Sequence, residues 1–254
     1  MSTSPKEGKV IEVTCDGNRR FEADVLVQAG IAVAPADLDE EQAYCCYKLG
    51  GDASKKIVEV SRDAMVGIIA LWAFSTKNWE RPAAQTNAIF RVMQEFLDDL
   101  EKNWIDRPEN SDVRLVHMGR TEELERKQSE VMKTMKRIMN HTRDRTGMVV
   151  ALLLDYSGPD EDERARQLWK ESGCIGPFTD YLDLPRQGVP YRELDLCIRT
   201  GETSDVKHTN AVMRPYDGME TRHIFRTELL PEYTEALYKA DLELLKKTPQ
   251  RKGK

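Results

Sequence analysis

Residues 66–82 read VGIIALWAFSTKNWERP, an apolar run that passes directly into a polar cluster. The run Val66–Phe74 is almost continuously apolar, which is typical of a parallel strand buried on both faces. The polar residues Ser75–Arg81 follow it, and Pro82 is well placed at the first turn of a helix. Apolar residues then recur at helical spacing as far as Trp104. This stretch therefore predicts a buried strand, a polar turn and a helix.

The same order recurs along the chain. Four other short apolar runs predict buried strands: Val10–Cys15, Val113–Met118, Met148–Leu154 and Leu194–Ile198. The segments Thr121–Arg145 and Pro231–Lys247 predict further helices, because their apolar residues fall at helical spacing. Alternating strands and helices predict a single parallel α/β sheet with right-handed crossovers.

Two segments interrupt this alternation. Glu22–Gln42 is rich in alanine and acidic residues and predicts a loop with a short helix. Ile175–Tyr191 contains three prolines and predicts a long connection. The ends, residues 1–8 and 248–254, are expected to fray, so that residues 1–254 form one domain.

The composition excludes several classes of protein. The chain has 254 residues, with 38 Lys and Arg against 44 Asp and Glu and a net charge of −6, whereas a protein that wraps nucleic acid is basic. No apolar run approaches the roughly 18 residues of a membrane-spanning helix. The first residues, MSTSPKEGK, lack the apolar core of a signal peptide. We therefore expect a cytoplasmic protein with no nucleic-acid partner and at most peripheral membrane contact.

The cysteines and histidines do not predict a metal site. The five cysteines are odd in number and form no CxxC pair: Cys15, Cys45, Cys46, Cys174 and Cys197. This usage favours reduced thiols in the core of a cytosolic protein. The four histidines also lack the spacing of metal ligands.

Polar clusters follow three of the predicted strands, at the edge where parallel sheets bind ligands. The first, Asp16–Arg20 (DGNRR), combines a glycine turn with two arginines that can bind phosphate oxygens. Its aspartate either balances an arginine or holds Mg²⁺ at a diphosphate. In the second cluster, Asn78 and Arg81 either cap a helix or bind the same anion. The third places Arg199 before a glycine turn, and three such clusters favour an anion site.

These clusters resemble, in the same order, the motifs of the cis-prenyltransferases, the undecaprenyl and dehydrodolichyl diphosphate synthase family. Asp16–Phe21 (DGNRRF) is similar to D-G-N-G/R-R-W/F/Y, and Ala73–Pro82 (AFSTKNWERP) to A-F-S-x-E-N-W-x-R-P. Val113–Gly119 resembles the strand that ends in I-G, and Asp155–Gly158 (DYSG) resembles a degraded N-Y-G-G. Asp195–Glu202 (DLCIRTGE) is similar to D-L-x-I-R-T-G-G-E.

The resemblance implies a fold and a reaction. The fold would be a single parallel sheet of about six strands flanked by helices, with an apolar tunnel between helices and sheet. The protein would act as a homodimer with Mg²⁺ as cofactor. An allylic diphosphate would lose pyrophosphate while the double bond of isopentenyl diphosphate attacks its C1.

The resemblance also implies a role for individual residues. Asp16, Asn78 and Arg81 would be catalytic, with Asp16 as the Mg²⁺ ligand. The allylic diphosphate would be bound by residues of the first two clusters: Gly17, Asn18, Arg19, Arg20 and Ser75. Isopentenyl diphosphate would be bound by residues near the C-terminal motif: Arg199, Lys207 and Thr209. The tunnel would be lined by four large side chains, which predict products of about C10 to C20: Leu71, Phe90, Met93 and Phe96.

The chain departs from the family pattern in its allylic half. The histidine of the family's G-H-x-x-G helix start is Tyr47 here, and an arginine four residues earlier is Ala43. The allylic site therefore lacks one cation, for which Lys48 or Arg19 could compensate. An insertion of about fourteen residues lies within Glu22–Tyr44.

The C-terminal motif departs most. The family continues after the Arg-Thr-Gly with a second arginine, a serine and a metal-binding glutamate. Counting forward from Asn210 places that glutamate at Glu220, whereas counting back from Pro231 places it at Arg222. The metal ligands would then be Asp16 and Glu220, and the isopentenyl diphosphate site is the less complete of the two.

Three hypotheses fit this pattern. The first is a synthase that makes a short Z-prenyl diphosphate. The second is irregular (head-to-middle) coupling, or a terpene-cyclase-like reaction, of an allylic diphosphate on the same fold. The third is a non-catalytic subunit of a heteromeric cis-prenyltransferase, which the retention of Asp16, Asn78 and Arg81 disfavours.

Overall fold

Six strands form one sheet in the computed structural model, which describes residues 8–29, 34, 37–202 and 213–247. The strands are β1 (Val10–Thr14), β2 (Ile68–Ser75), β3 (Arg114–Met118), β4 (Val149–Tyr156), β5 (Leu196–Arg199) and β6 (Arg222–Phe225). They lie in the order β3-β4-β2-β1-β5-β6, and every neighbouring pair is parallel. This confirms the fold that the apolar runs predict.

Apolar residues on both faces of the strands explain why the sheet is central. All eight residues of β4 are buried. In β1, Ile11 and Val13 pack into a core on one face, while Val10 packs into a second core on the other. The sheet is therefore covered on both sides, as expected for parallel strands joined by helices.

Eight helices cover the two faces within the described ranges. They are α1 (Asn18–Gln28), α2 (Glu40–Asp63), α3 (Ala83–Asp99), α4 (Thr121–Lys127), α5 (Ser129–Thr142), α6 (Gly158–Glu171), α7 (Asp183–Arg186) and α8 (Glu235–Lys247). Helices α2, α3, α5 and α8 contribute to the core that contains Ile11, and α6 and α7 to the core that contains Val10. A π-helical turn, Leu100–Trp104, extends α3, so the predicted helix over Pro82–Trp104 is present.

The segment Glu22–Gln42 differs from its predicted loop with a short helix. Helix α1 continues to Gln28, and α2 begins at Glu40 behind a capping box in which Asp39 accepts a hydrogen bond from Gln42 N at 2.9 Å. Only Ala23 of α1 is buried, so the helix has no apolar face that its sequence could reveal. Residues 30–33 and 35–36 lie outside the described residues.

Two other predictions differ from the structure. The segment Thr121–Arg145 is not one helix, because Gln128 leaves the helical conformation with φ −139° and separates α4 from α5. The connection Ile175–Tyr191 contains the short helices Phe178–Tyr181 and α7. Strand β6 was not among the predicted strands. It is a half-exposed edge strand, so its sequence lacks a continuous apolar run.

Two further findings concern the apolarity of the helices and the placement of the cysteines. Across the described ranges, none of the helices combines the length and apolarity needed to cross a bilayer. All five cysteines are free thiols, but Cys45 and Cys174 are exposed, so the prediction of core thiols holds only for the buried Cys46 and Cys197 and the half-buried Cys15.

Candidate active site

The strands β2, β1 and β5 are neighbours in the sheet, so the residues that follow their carboxyl ends meet. They line a cavity of about 260 Å³, called the polar cavity below. Nine residues predicted to act in binding or catalysis lie in its wall: Asp16, Gly17, Asn18, Arg19, Arg20, Ser75, Asn78, Arg81 and Arg199. The structure thus brings together residues up to 183 positions apart in the chain.

A glycine turn brings the amino end of α1 to this cavity. Gly17 has a φ of 101°, in the left-handed region, and a Cβ there would approach Leu229 Cδ2 to 2.8 Å. The turn places Asn18 and Arg19, the first two residues of α1, in the wall of the cavity. Unpaired N–H groups at a helix amino end favour a negatively charged ligand.

Asp16 is held by the β5 end of the site. Its Oδ2 accepts a hydrogen bond from Arg199 Nη2 at 3.1 Å, and its side chain is 42% exposed. The buried Thr200 hydroxyl lies 3.0 Å from Asp16 N and 2.8 Å from Asp16 O. Glu202 Oε2 lies 3.1 Å from Arg199 Nε on the other side. Arg199 therefore stands between two carboxylates.

The arginines on the α1 and α3 side have neutral partners instead. Arg19 Nη1 donates to Gln85 Oε1 at 3.1 Å, and Arg81 Nη1 donates to the Tyr47 hydroxyl at 3.2 Å. Burial lowers the pKa of the Arg81 guanidinium, which nevertheless stays charged. Arg20 donates to the Gly201 carbonyl. Within the described ranges, no carboxylate forms a salt bridge with any of these three arginines.

The structure also decides between the two residues that could replace the missing cation. Lys48 Nζ lies 3.1 Å from Glu95 Oε2 and does not line the polar cavity. Arg19 lines it. Ala43, where the family has an arginine, is fully buried in the core. Arg19 is therefore the better placed of the two to supply the charge.

Asn78 is both a capping residue and a cavity residue. Its Oδ1 accepts a hydrogen bond from Ser75 N at 2.9 Å, which closes the 3-10 turn Thr76–Glu80. The next residue, Trp79, donates from Nε1 to Asp155 Oδ1 at 2.8 Å, and Arg120 binds the same buried carboxylate at 2.7 Å. These contacts fix the turn that presents Asn78 to the cavity.

A cysteine in the wall is not a nucleophile. Cys15 lines the polar cavity, but burial raises the pKa of its thiol to about 12. The thiol therefore stays protonated at neutral pH, and the thiolate that covalent catalysis needs is not formed.

A second, smaller cavity adjoins the first and is called the apolar cavity below. It measures about 60 Å³ and shares Cys15, Asn18, Tyr47 and Ala73 with the polar cavity. Three of the predicted tunnel residues line it: Leu71, Met93 and Phe96.

Phe90, the fourth predicted tunnel residue, does not line it. Its ring centroid lies 4.8 Å from that of Phe74 and 5.3 Å from that of Trp79, so it belongs to an aromatic cluster behind the site. The α3 residues that line the cavity are instead Ile89, Val92, Met93 and Phe96. Phe90 lies about 100° around the helix from Ile89, because an α-helix turns by about 100° per residue.

Comparison with known proteins identifies the family. The family model described as "Putative undecaprenyl diphosphate synthase" matches residues 14–251. The chain belongs to this prenyltransferase family. It is therefore a transferase that acts on isoprenoid diphosphates.

Relatives of the prenyltransferase include two bacterial isoprenyl transferases. That of Clostridium perfringens is 35% identical over 163 residues, which is 60% of each chain and thus less than two thirds of that enzyme's length. That of Streptococcus mutans is 27% identical over 205 residues, covering 76% of this chain and 78% of the relative.

Two solved structures share the fold of the prenyltransferase. Lavandulyl diphosphate synthase from Lavandula x intermedia, in complex with dimethylallyl diphosphate, superposes with a TM-score of 0.75 at 16% identity, covering 96% of this chain and 97% of that one. A probable undecaprenyl diphosphate synthase from Campylobacter jejuni gives 0.68 at 24% identity, covering 98% and 100%.

The predicted second metal ligand of the prenyltransferase lies away from the polar cavity. Glu220 is exposed and precedes β6, whose first residue Arg222 pairs with Leu196 at the start of β5. Because parallel strands run together, Glu220 is at the amino edge of the sheet, and Asp16 is at the carboxyl edge. Arg222, the other candidate, donates to the Leu244 carbonyl. Neither residue joins Asp16 within one chain.

Two further points concern metal and isopentenyl diphosphate ligands. The predicted residues Lys207 and Thr209 lie outside the described residues. Among the residues that the structure describes, no group of three or more His, Cys, Asp or Glu side chains could hold a metal ion. A metal at Asp16 would therefore need ligands from a bound diphosphate.

Several residues of the site were not assigned a role from the sequence. Tyr47, Gln85 and Thr200 contact the predicted residues Arg81, Arg19 and Asp16. Gly50 lies against the site too, since a Cβ there would be 2.0 Å from Asn18 Oδ1. The family helix start Cys46–Gly50 was the one signal that pointed to this part of α2, because it covers both Tyr47 and Gly50.

Proposed function

We propose that this prenyltransferase condenses an allylic diphosphate with isopentenyl diphosphate to form a short Z-prenyl diphosphate. One observation carries the proposal: four arginines and the amino end of α1 line a polar cavity that shares part of its wall with an apolar one. Guanidinium groups and free N–H groups match a diphosphate, and the apolar cavity matches its prenyl chain. The junction of the cavities is the place for C1, where the two parts of the substrate are joined.

The residues present fit Mg²⁺ as the cofactor. Mg²⁺ is usually bound through one or two carboxylates together with substrate phosphates, rather than by an all-protein cage. Asp16 supplies a partly exposed carboxylate in the wall of the polar cavity. Bound there, Mg²⁺ would supply positive charge next to the diphosphate oxygens.

The chain's own residues act on the bond that breaks. As the allylic C1–O bond breaks, both electrons go to the diphosphate, whose growing charge is stabilised by Arg19, Arg20 and Arg81. The apolar cavity keeps water from the carbocation at C1. The isopentenyl double bond then forms the new C–C bond to C1, and the departed diphosphate takes the proton that leaves C2 of the acceptor. Asn78, fixed by its cap, is placed to assist both ionisation and proton removal.

The proposal of a short product rests on Phe96, which closes one end of the apolar cavity. Phe96 lines that cavity and also a third cavity of about 90 Å³ near Lys55 and Arg107, so its ring stands between the two. Each added C5 unit needs dry space, and forcing a chain past such a side chain costs roughly 1–3 kcal/mol of overpacking. We expect products of about C10 to C20.

Variants at two positions of α3 test this length. Phe96→Ala joins the apolar cavity to the third one and should shift products to longer chains in chromatography. Phe90→Ala is the matched control in the aromatic cluster, and it should lower stability by roughly 2–5 kcal/mol without lengthening the product. Wild-type products beyond about C35 would contradict the short-chain proposal.

A second candidate function uses allylic diphosphate alone, in irregular coupling or cyclisation. It is favoured by Arg199, which lies between Asp16 and Glu202, so that its charge is already matched by carboxylates. An isopentenyl diphosphate site built on this arginine is weaker than the allylic site.

One experiment separates the candidates. Purified protein is incubated with Mg²⁺ and dimethylallyl, geranyl or farnesyl diphosphate, with and without isopentenyl diphosphate. Elongated products that need isopentenyl diphosphate support the synthase, and products formed without it support the second candidate. No product with any combination contradicts both and supports a non-catalytic subunit. The homodimer and the cytoplasmic location stay predictions.

A further inference from the structure

Tyr47 lies where the two cavities meet. This residue is 8% exposed and is part of the wall of both the polar and the apolar cavity. It projects from α2, next to the arginines of the polar cavity. A substrate with its diphosphate in one cavity and its chain in the other would pass this hydroxyl at the atoms that join them.

The hydroxyl of Tyr47 has a proton to donate. Its oxygen accepts the hydrogen bond from Arg81 Nη1 at 3.2 Å, and this bond uses a lone pair and not the proton. Among the residues that the structure describes, no acceptor takes that proton. Since a buried donor is costly when it has no partner, an acceptor from a ligand would satisfy it.

Burial keeps the phenol of Tyr47 neutral. Burial raises its pKa, and this outweighs the opposite effect of the two neighbouring arginines, Arg81 and Arg19. The thiol of Cys46, on the same helix, raises it further, and Asp16 acts on Arg81. The phenol is thus protonated throughout the neutral range, and it can act as a donor but not as a base.

We propose that Tyr47 is a further catalytic residue, whose phenol donates a hydrogen bond to the diphosphate oxygen that departs from C1. This inference rests on the proposed function. When the C1–O bond breaks, its electron pair goes to that oxygen, and the hydrogen bond strengthens as the negative charge grows. Tyr47 keeps its proton throughout, so no co-reactant is needed. An interaction that strengthens only in the transition state raises kcat more than it lowers KM.

Tyr47→Phe removes the hydroxyl and keeps the ring. We expect kcat with the allylic diphosphate to fall about 10²-fold, the effect of losing one preorganised donor, while KM changes less than about threefold. Tyr44→Phe is the matched control one turn earlier on α2, since its hydroxyl donates to Glu95 Oε1 at 2.9 Å, outside the polar cavity. That variant should retain the wild-type rate.

Tyr47→His tests the donor role by partial rescue and by pH. An imidazole N–H can replace the phenol, so kcat should recover at least about tenfold over Tyr47→Phe. The imidazolium is the stronger donor, so kcat of this variant should decline as pH rises through the imidazole pKa, near or below about 6.5. Wild type, measured with the same substrate, should lack that decline. This rescue also separates a lost donor from a misfolded Tyr47→Phe protein.

The outcomes of these measurements distinguish the proposed function from the role of Tyr47. If wild type has no activity with any allylic diphosphate, the proposed function and this inference both fall. If wild type is active and Tyr47→Phe matches it, the inference alone falls. If Tyr47→Phe raises KM and leaves kcat unchanged, or if Tyr47→His gives no rescue, then Tyr47 only holds Arg81 and the donor role is refuted.

Discussion

The two sides of the polar cavity pair their arginines differently. On the α1 and α3 side, Arg19 and Arg81 are held by the neutral groups of Gln85 and Tyr47. On the β5 side, Arg199 is held by carboxylates. A neutral acceptor fixes the direction of a guanidinium and leaves its charge uncompensated. A carboxylate fixes the direction and also compensates the charge.

This difference predicts which of the two diphosphates the site binds more tightly. The allylic side presents uncompensated positive charge to an incoming anion. On the β5 side, the guanidinium of Arg199 must separate from a carboxylate before it can bind an anion. A cation bound at Asp16 would remove this requirement for that carboxylate. The allylic diphosphate should therefore bind more tightly than isopentenyl diphosphate, and five variants test this difference.

The largest effect is expected at Asp16, which belongs to both sides. Asp16→Ala removes the proposed Mg²⁺ ligand and should cut turnover at least about 10²-fold, because the lost contact matters most as the leaving group departs. The control is Asp24→Ala, an exposed aspartate on α1 away from the cavity wall. Activity and thermal unfolding are compared for both variants. Near-normal turnover of Asp16→Ala would leave the carboxylate as a partner of Arg199 only.

The next largest effects separate the two sides directly. Arg81→Ala should lower kcat by about 10- to 100-fold, because Arg81 faces the charge that develops on the departing diphosphate. Arg199→Ala should chiefly raise the apparent KM for isopentenyl diphosphate, by about tenfold. Steady-state kinetics with each substrate varied in turn distinguishes the two patterns. An unchanged isopentenyl diphosphate KM in Arg199→Ala would argue for the reaction of allylic diphosphate alone.

Much of the polar cavity could be predicted from the sequence, because short motifs follow strands that are evident as apolar runs. Parallel strands bring their carboxyl ends together, so Asp16, Asn78 and Arg199 had to share an edge once the strands were placed. The neutral partners Tyr47 and Gln85 could not be predicted in the same way. They lie on helices, and which of their side chains face the cavity depends on how each helix is rotated against the sheet.

The β5 side was harder to predict, for a physical reason. The short edge strand β6 alternates between half-buried and exposed residues, so it lacks the continuous apolar run of a central strand. Because β6 was not predicted from the sequence, counting forward from Asn210 placed Glu220 beside Asp16 as a second metal ligand. In the structure the strand begins at Arg222 and runs parallel to β5, which leaves Glu220 at the opposite edge of the sheet.

A smaller effect is expected when the allylic side is given the pairing of the β5 side. Gln85→Glu is nearly isosteric and places a carboxylate on Arg19, so the apparent KM for the allylic diphosphate should rise about tenfold. The KM for isopentenyl diphosphate should stay close to wild type. Gln94→Glu, on the same helix but outside both cavity walls, serves as the control. If the allylic KM does not rise, the charge of Arg19 does not contribute to binding.

The smallest effect is expected from the reverse change on the β5 side. Glu202→Gln keeps the shape of the side chain and removes one of the two carboxylates at Arg199, so positive charge becomes available to the acceptor diphosphate. The apparent KM for isopentenyl diphosphate should fall about threefold, because Asp16 still pairs with the same arginine. The allylic KM, measured in parallel, should not change, which separates a local effect from a general gain in charge. A rise in the isopentenyl diphosphate KM would mean that Glu202 orients Arg199 for binding, and the contrast between the two sides would then be one of geometry and not of charge.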